Sequence, residues 1–283
     1  MKIKLSAAIA TYNEEENIGE CLESVKGLVD EIIIVDGSST DKTVEIAKKY
    51  GAKVEVTDNP KIFHINKQKS FDLATGDWIL YLDADERVSK KLAEEIVKVI
   101  NMSDEQISEH QDTLKNKRLF KRHQSLLDSR DGKIGNDSQN FVAFFFPRLN
   151  YFLGKFLRYG GVYPDGVIRL FKKNKAYLPC KSVHEQMIVK GKVGWMQNDL
   201  IHYDSKTFAR YLMRNSRYID LIATDLKNQN PNFFDYMLIK PISWFLMTSL
   251  RNKGILDGYQ GLIFSFFSAL RFPRAYLRYL KLK

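Results

Sequence analysis

The sequence predicts an α/β fold, a mostly parallel sheet with flanking helices, followed by a helical C-terminal region. Short apolar runs alternate with helix-like stretches over the first hundred residues, which is typical of βαβ units. Two of these runs end in acidic residues, and beyond residue 205 the pattern is predominantly helical. A chain of 283 residues is long enough for one α/β domain of about 200 residues and an extension.

The elements of the first hundred residues alternate strand and helix. The first helix is predicted from apolar residues at the spacing i, i+3, i+4, i+7, which lie on one helix face. The run 31–36 is apolar almost throughout, as in strands buried on both faces. Ser89 is the expected N-cap of the helix that follows the fourth strand. The predicted strands are 4–10, 31–36, 53–57 and 77–82, and the predicted helices are 16–27, 40–50 and 67–74.

The pattern changes between residues 101 and 140, where the sequence is polar, mixed in charge and poor in side chains that could be buried. We predict a surface insertion there, partly helical and partly disordered. Strands are predicted again at 141–147 and 167–171, on either side of a glycine-rich loop at 159–166. We therefore divide the chain into an α/β domain, residues 1–205, and a helical C-terminal region, residues 206–283.

Charge and cysteine content limit the function classes. The net charge of +10 indicates an anionic partner. No helix-turn-helix, zinc or RNA-binding signature is present, so we do not expect nucleic acid to be that partner. The two cysteines, Cys21 and Cys180, are far apart and form no CxxC pair, which fits a reducing cytoplasm.

The C-terminal segment 236–283 carries eight basic residues and one acid, Asp257, beside several aromatic and aliphatic residues. Its apolar stretches are too short to span a bilayer and are flanked by Lys or Arg, as in helices that lie in the membrane interface. We expect peripheral attachment to an anionic membrane surface, on the cytoplasmic face of the cell membrane. The alternative is that these helices pack on the α/β domain and their cations are merely solvated.

Three polar motifs follow predicted strands, where ligands bind in open α/β sheets. Thr11-Tyr12-Asn13-Glu14 follows the first strand and Asp36 begins the second motif. Asp83-Ala84-Asp85 follows the fourth strand and brings two carboxylates together, which costs free energy unless a cation neutralises them. Mg²⁺ or Mn²⁺ suits such hard ligands and stabilises a diphosphate leaving group. Isolated surface acids are common, so it is the convergence of three loops that favours a metal site at Asp83 and Asp85.

These motifs resemble the signatures of glycosyltransferase family 2, in the same order and at the same spacing over residues 3 to about 100. The resemblance implies a GT-A fold, an inverting reaction, and a nucleotide-diphosphate sugar donor, with a UDP-sugar expected. The second half resembles the branch of bacterial lipopolysaccharide-core β-glucosyltransferases. The segments that carry this second resemblance are Asn150 to Lys155, Tyr163-Pro-Asp165, Val167 to Phe171, Val183-His184-Glu185, Leu200 to Tyr203 and Gly254 to Gly258.

The resemblance also implies roles for matching residues. Tyr12 and its neighbours would cradle the base, Asp36 would contact the base or ribose, and Lys69 the base or diphosphate. Asp83, with Ala84 beside it, would approach the ribose or the metal, and Asp85 would bind the metal directly. Many family members have two adjacent acids where this chain has Asp36 and Gly37, so the base contact of the second acid is missing here.

Three further residues have roles that the sequence leaves open. His202 is a candidate third metal ligand, because a neutral imidazole would complete an Asp-based site, or it is structural. Arg169 binds donor phosphate or pairs with an acid. An inverting displacement needs a general base for the acceptor hydroxyl, and the family places an acid for this in the second half. Glu185 is the matching candidate and Asp165 the runner-up.

We expect from these residues an inverting glycosyltransferase that transfers a sugar to a saccharide or lipid-linked acceptor in cell-envelope glycan synthesis, of lipopolysaccharide core or exopolysaccharide. One alternative is transfer onto polyprenyl phosphate. A non-enzymatic alternative is a membrane-surface module that binds nucleotide-sugars without turnover. The two enzymatic hypotheses differ in the acceptor. The non-enzymatic hypothesis differs from both because it predicts that the biological activity of the protein does not depend on Asp85.

Overall fold

The computed structural model describes residues 2–136, 140–181 and 185–282. The chain forms two compact units. Unit 1 comprises Met1–Arg148 and Asp165–His202, and unit 2 comprises Leu149–Pro164 and Tyr203–Lys283. The second unit therefore begins close to the predicted division at residue 205, but it also contains residues 149–164, which we had assigned to the α/β domain.

The described residues contain both regular strands and helices throughout unit 1, and mainly helices in unit 2. The strands are β1 (Leu5–Thr11), β2 (Glu31–Asp36), β3 (Lys53–Val56), β4 (Trp78–Leu82), β5 (Glu86–Val88), β6 (Phe141–Phe152), β7 (Lys155–Phe156), β8 (Asp165–Lys172), β9 (Ala176–Tyr177), β10 (Ile188–Val189), β11 (Lys192–Trp195) and β12 (Leu200–Ser205). The α-helices are α1 (Ile18–Val25), α2 (Thr43–Lys49), α3 (His64–Leu73), α4 (Lys90–Ile100), α5 (Asp104–Asp112), α6 (Lys117–Asp131), α7 (Phe208–Asp225), α8 (Lys240–Leu246), α9 (Tyr259–Ala269) and α10 (Arg271–Leu282). Unit 2 also has 3₁₀ turns at Leu226–Asn228 and Gly254–Asp257 and π turns at Asp235–Ile239 and Met247–Arg251.

The main sheet has the strand order β3-β2-β1-β4-β8-β6-β12-β5, with β7 and β11 also paired to β6. Strands β1 to β4 are parallel to one another. From β8 onward the pairing is mixed, because β8 is antiparallel to both β4 and β6. The predicted α/β class is therefore confirmed. The four consecutive parallel strands lie in the first half of the sheet, and in the mainly antiparallel second half β11 also pairs in parallel with β6. The carboxyl ends of β1, β2 and β4 meet at one edge.

The core lies on both faces of this sheet because successive strand side chains point to opposite faces. In β6, Phe144 and Phe146 belong to one apolar cluster and Phe145 to the other. Every residue of β4 is buried, as the apolar run predicted. In α1, the four residues spaced i, i+3, i+4, i+7 are all buried, and Cys21 is among them. Ser89 caps α4 as expected by accepting a hydrogen bond from the amide of Leu92.

Helices α5 and α6 occupy most of the segment 101–140. Phe120 of α6 is 1% exposed and stacks on Trp195 with ring centroids 4.6 Å apart. Ile107 and Leu127 are buried as well. Residues 104–112 and 117–131 form helices within the insertion that we predicted to be partly helical and partly disordered, and these helices pack through the apolar side chains just named. The sequence obscured this because a few apolar residues in a highly charged helix are enough to hold it against a sheet. Residues 137–139 lie outside the described part of the chain.

Unit 2 is mainly helical. Helix α7 lies against α10, where Arg278 donates to the Ser216 hydroxyl at 2.8 Å and pairs with Asp220. Asp257 is buried and accepts hydrogen bonds from the amides of Arg158 and Tyr159 at 3.0 and 2.8 Å. Among the residues that the structure describes, none of the helices has both the length and the hydrophobicity that crossing a membrane requires.

Candidate functional site

The loops after β1 and β2 are joined to each other by side chains. The Asn13 amide N–H donates to the Ser39 hydroxyl, and the Asn13 side-chain oxygen accepts the Thr40 amide N–H, both at 2.8 Å. The Glu14 amide N–H donates to the Thr43 hydroxyl at 2.8 Å. Asn13 has a positive φ of 53°, which Asn tolerates better than most residues. The predicted motif at residues 11–14 is therefore held in a fixed shape at the sheet edge.

Asp36 lies at the centre of this loop pair. Its side chain is completely buried and accepts hydrogen bonds from the hydroxyls of Thr11 and Ser39, at 2.7 and 2.6 Å, and from the Ser39 amide at 2.7 Å. In this structure, Asp36 fixes the two loops to each other, and its expected contact with a base stays a prediction. Tyr12 beside it is 47% exposed, so its ring is accessible to a ligand.

Asp83 is held by two cations. The Lys67 ammonium lies 2.5 Å from one carboxylate oxygen, and Arg169 donates to the other at 2.6 Å. Burial works to raise the pKa of Asp83, but Arg169 and Lys67 outweigh it and hold the pKa well below its ordinary value. The charge of Asp83 is therefore already balanced by protein groups. Of the two roles considered for Arg169, the structure shows the ion pair.

The ion pairs continue from Asp83 into the interior. Arg169 also contacts Glu86 at 2.8 Å, and Glu86 is completely buried. Arg148 lies 3.3 Å from Glu86 and 2.7 Å from Asp165, the alternative candidate base. Asp83 and Asp165 are thus linked through one alternating series of acids and arginines. Such a series fixes the positions of its carboxylates, since removing one member would leave a buried charge unpaired.

Lys69, the lysine predicted to meet the donor, faces away from this network. Its ammonium pairs with Glu55 of β3 at 3.2 Å. Lys67, two residues earlier on α3, is the lysine that reaches Asp83, and its side chain is only 12% exposed. Residues two apart lie on different sides of a helix. Helical spacing could have identified Lys67, because it lies on the same face as the buried residues His64 and Phe71.

Asp85 lies beside His202, with 3.5 Å between a carboxylate oxygen and Nε2 of the imidazole. Both side chains are largely buried, 15% and 8% exposed. Antiparallel pairing of β12 with β5, which places His202 opposite Glu86, brings the two residues together across 117 positions of sequence. Carboxylate oxygens and imidazole nitrogens both bind divalent cations, so the structure brings two of the candidate ligands together, and their role as metal ligands stays a prediction.

Glu185, the leading candidate base, lies 3.4 Å from Nδ1 of His64 and is 11% exposed. It also accepts a hydrogen bond from the Lys181 amide at 2.8 Å. His64 begins α3, one helical turn before Lys67, so the same helix contacts both Glu185 and Asp83. Val183 and His184, which belong to the motif matched in the sequence, lie outside the described residues.

Sequence reasoning missed Lys67, Arg148 and His64, which contact Asp83, Asp165 and Glu185 respectively. Ala84 contributes its carbonyl, which accepts a hydrogen bond from Arg87 at 2.7 Å. The structure therefore brings Asp83, Asp165, Arg169, Asp85 and His202 into two adjoining clusters. It leaves Lys69 outside them.

Comparison with known proteins identifies the family of this chain. Residues 6–164, more than half of the chain, match the model described as glycosyl transferase family 2. An uncharacterized glycosyltransferase of Rickettsia typhi is 30% identical, over 99% of this chain and 88% of that protein. A lipopolysaccharide core biosynthesis glycosyltransferase of Rhizobium meliloti is 25% identical, over 95% and 92% of the two chains.

Among solved structures, glucosyl-3-phosphoglycerate synthase from Mycobacterium tuberculosis, in complex with Mn²⁺, UDP and glucosyl-3-phosphoglycerate, is 28% identical with a TM-score of 0.27. The match covers 30% of this chain and 34% of that one, and it says nothing about the activity of this chain. The family match and the sheet topology confirm the predicted GT-A fold with a helical C-terminal region. This chain is an enzyme, and it belongs to glycosyltransferase family 2.

Proposed function

We propose that the protein transfers a sugar, with inversion, from a nucleotide-diphosphate donor to a saccharide or lipid-linked acceptor. The observation that carries this proposal is the Asp85–His202 pair beside the balanced Asp83 network, at the edge where the loops of β1 and β2 also end. In this arrangement Tyr12 and the residues around it hold the base. Asp83 and its two cations lie between the base and the reacting sugar.

Mg²⁺ or Mn²⁺ is the proposed cofactor, with Asp85 and His202 as its ligands. A bound cation would supply Lewis-acid stabilisation of the diphosphate leaving group. Asp83 was expected to share this role, but Lys67 and Arg169 occupy both of its oxygens. We therefore assign Asp83 to orienting the donor.

Glu185 is the proposed general base. It would take the proton from the acceptor hydroxyl as that oxygen attacks the anomeric carbon and the nucleoside diphosphate departs. Asp165 is the less suitable group, because one of its carboxylate oxygens is held 2.7 Å from Arg148 in an ion pair. Glu185 has an imidazole rather than a guanidinium as its neighbour.

We base the proposed acceptor class on the relative in Rhizobium meliloti, whose name places it in lipopolysaccharide core biosynthesis. The similarity extends over nearly the whole of both chains, including the half that carries Glu185 and Asp165. We propose that this protein likewise acts on a cell-envelope glycan, of which lipopolysaccharide core is the first candidate.

Attachment to an anionic membrane surface is part of the proposal. Five apolar residues follow one another at four-residue spacing along the helical segment 233–251, and each is between 47% and 63% exposed. We call them the apolar row: Phe234, Leu238, Ile242, Leu246 and Leu250. The one acid of segment 236–283, Asp257, is buried and bound to backbone amides. The charged side chains on the described surface of that segment are therefore all cationic. An apolar row with cations around it suits the headgroup region of a bilayer.

A donor screen tests the enzymatic proposal. Wild type and Asp85→Asn are heated with UDP-, GDP- and ADP-sugars, with and without Mn²⁺ or Mg²⁺. We expect one donor to raise the melting temperature of wild type by about 2–4 °C only when metal is present. Asp85→Asn should lose this rise, and its metal-dependent donor hydrolysis should fall by on the order of 100-fold.

Glu23→Gln is the matched control, since Glu23 is an exposed acid of α1 that lies outside the three motifs and 3.7 Å from the Lys26 ammonium. It should keep both the stabilisation and the hydrolysis. Equal metal-dependent stabilisation of wild type and Asp85→Asn would exclude Asp85 as a ligand.

A further inference from the structure

Unit 2 contains an arginine that pairs with no acid among the described residues. Arg271 begins α10, and its guanidinium carbon lies 4.3 Å from the centre of the Trp244 ring and 5.1 Å from that of Phe272. Its Nε is buried and has no hydrogen-bond partner among the described residues. Burial lowers the pKa of Arg271, and of the described residues only the Tyr211 hydroxyl acts in the opposite direction. An arginine stays charged even so, and an unbalanced buried charge is costly.

The arginines of α10 differ in whether an acid balances their charge. Arg271, Arg274 and Arg278 are spaced i, i+3, i+7 and so lie on one face of the helix. Arg278 has an acid partner, Asp220 of α7, and a hydroxyl partner, Ser216. No ion pair joins Arg271 or Arg274 to an acid among the residues that the structure describes. Among the described residues, Arg271 and Arg274 are therefore two cations without counter-charges.

The facing part of α7 supplies hydrogen-bond donors. Burial raises the pKa of Tyr211 to about 12, even though Arg271 and Arg274 work to lower it, so Tyr211 keeps its proton and lies within electrostatic reach of both arginines. Asn215 follows one turn later on the same face of α7, just before Ser216. Its side-chain amide nitrogen is buried and has no partner in the described part of the chain.

We propose that Arg271, Arg274, Tyr211 and Asn215 form a binding site for a phosphate group in unit 2. Two guanidinium groups, a hydroxyl and an amide offer donors to a ligand that has only acceptors, and phosphate has that character. Guanidinium groups match the planar spacing of phosphate oxygens. The four residues belong to unit 2, whereas Asp83 and Asp85 belong to unit 1, and the proposal does not depend on the proposed donor chemistry. The phosphate belongs to a lipid headgroup or to a soluble phosphorylated molecule.

Inorganic phosphate is the first probe. The full chain is heated in EDTA with rising phosphate concentration, while sodium chloride keeps the ionic strength constant. We expect phosphate to raise the melting temperature of wild type by on the order of 2–4 °C and Arg271→Gln to lose most of this rise. Arg274→Gln should weaken phosphate affinity by about tenfold. Arg217→Gln, which removes an exposed arginine of α7, should respond as wild type does.

A purely structural role for Arg271 gives a different result. If Arg271 served only to pack on Trp244, Arg271→Gln would melt well below Arg217→Gln without phosphate, and phosphate would shift both variants equally. We expect instead that the two variants melt within about 2 °C of each other without phosphate, because the substitution removes an unbalanced charge. The proposal is wrong if phosphate leaves wild type unchanged or stabilises Arg271→Gln as much as wild type.

Vesicles distinguish the two sources of phosphate. Binding of Arg271→Gln and of Arg217→Gln is compared on phosphatidylcholine vesicles with and without phosphatidic acid, whose headgroup is a phosphate monoester. A headgroup ligand predicts that Arg271→Gln binds the phosphatidic acid vesicles at least about fivefold more weakly than Arg217→Gln. A soluble ligand predicts equal binding of these two variants.

Discussion

Two lysines of α3 show how a single residue position decides a role. Lys67 and Lys69 are two positions apart in a short helix, and the sequence offered no charge pattern that separated them. Lys67 lies on the inner face, next to Asp83, whereas Lys69 pairs with Glu55 near the surface. The difference follows from the rotation of about 200° between residues two apart in a helix.

We expect Lys67→Met to lower kcat/KM by on the order of 100-fold, since Asp83 would lose one of its two cations and keep only Arg169 and the Tyr81 hydroxyl as side-chain partners. Lys69→Met removes a partly exposed ion pair and should change kcat/KM by less than about threefold. Steady-state kinetics with the donor found in the screen measure both values. A larger loss for Lys69→Met than for Lys67→Met would restore the assignment made from the sequence.

At the scale of elements, Glu31 ties β2 to the start of the sheet. It accepts hydrogen bonds from the Ser6 hydroxyl of β1 at 2.6 Å and from the amide and hydroxyl of Thr75 at 2.6 and 2.8 Å. Burial works to raise the pKa of Glu31, but these hydrogen bonds and Lys53 lower it to about 2. The charged form is therefore favoured in the folded protein.

This carboxylate should make stability depend on pH. Because the folded pKa lies below the unfolded value of 4.5, its contribution is present above about pH 4.5 and is lost as the pH falls towards 2. We expect Glu31→Gln to lower the unfolding free energy by about 1–2 kcal/mol at pH 7 and by much less at pH 3. Urea unfolding at the two pH values gives the comparison, and an equal loss at both would contradict the assignment.

Helix α6 provides a second test at this scale. Phe120 fills the space between α6 and Trp195, so Phe120→Ala should lower the unfolding free energy by about 3–4 kcal/mol. Leu126→Ala, on the exposed side of the same helix, should change it by less than about 0.5 kcal/mol. Urea unfolding of both variants measures this. Equal, small effects would mean that α6 is the loose insertion that its composition suggested.

For the whole molecule, the net charge of +10 and the apolar row bear on where the enzyme works. We expect binding to phosphatidylglycerol vesicles at about 50 mM salt and a marked loss at about 500 mM, because salt screens the attraction of cations to the headgroups. The double variant Ile242→Asp and Leu246→Asp should bind at least about tenfold more weakly.

Leu126→Asp is the control for the vesicle assay, because Leu126 is 61% exposed but belongs to α6 of unit 1. It should bind as wild type does, and its net charge change is half that of the double variant. The double variant Leu126→Asp and Val97→Asp, which uses a second exposed position of unit 1, has the same net charge change as Ile242→Asp and Leu246→Asp together. If this matched pair weakened binding as much, charge alone rather than the apolar row would account for the attachment.

Much of this molecule follows from local pattern in the sequence. The apolar run before Asp83 determines a buried strand, and parallel strands end at one edge, so the motifs after β1, β2 and β4 were predictable as neighbours. The family signatures follow from the same residues. What local pattern could not supply is any contact made across long sequence separation. His202 meets Asp85, Arg169 meets Asp83 and His64 meets Glu185 only because the sheet and α3 bring their segments together.

Charge balance is the property that only the tertiary structure decided. In the sequence, Asp83 and Asp85 were two neighbouring acids that called for a cation, and only the family resemblance made Asp85 the leading ligand. In the fold, Asp83 is balanced by Lys67 and Arg169, while Asp85 has His202 beside it. Arg271 is the opposite case, a cation without an acid partner in the part of the chain that the structure describes. Sequence determines which charges exist, but their free energies depend on burial and on neighbours a few ångströms away, which are set by packing.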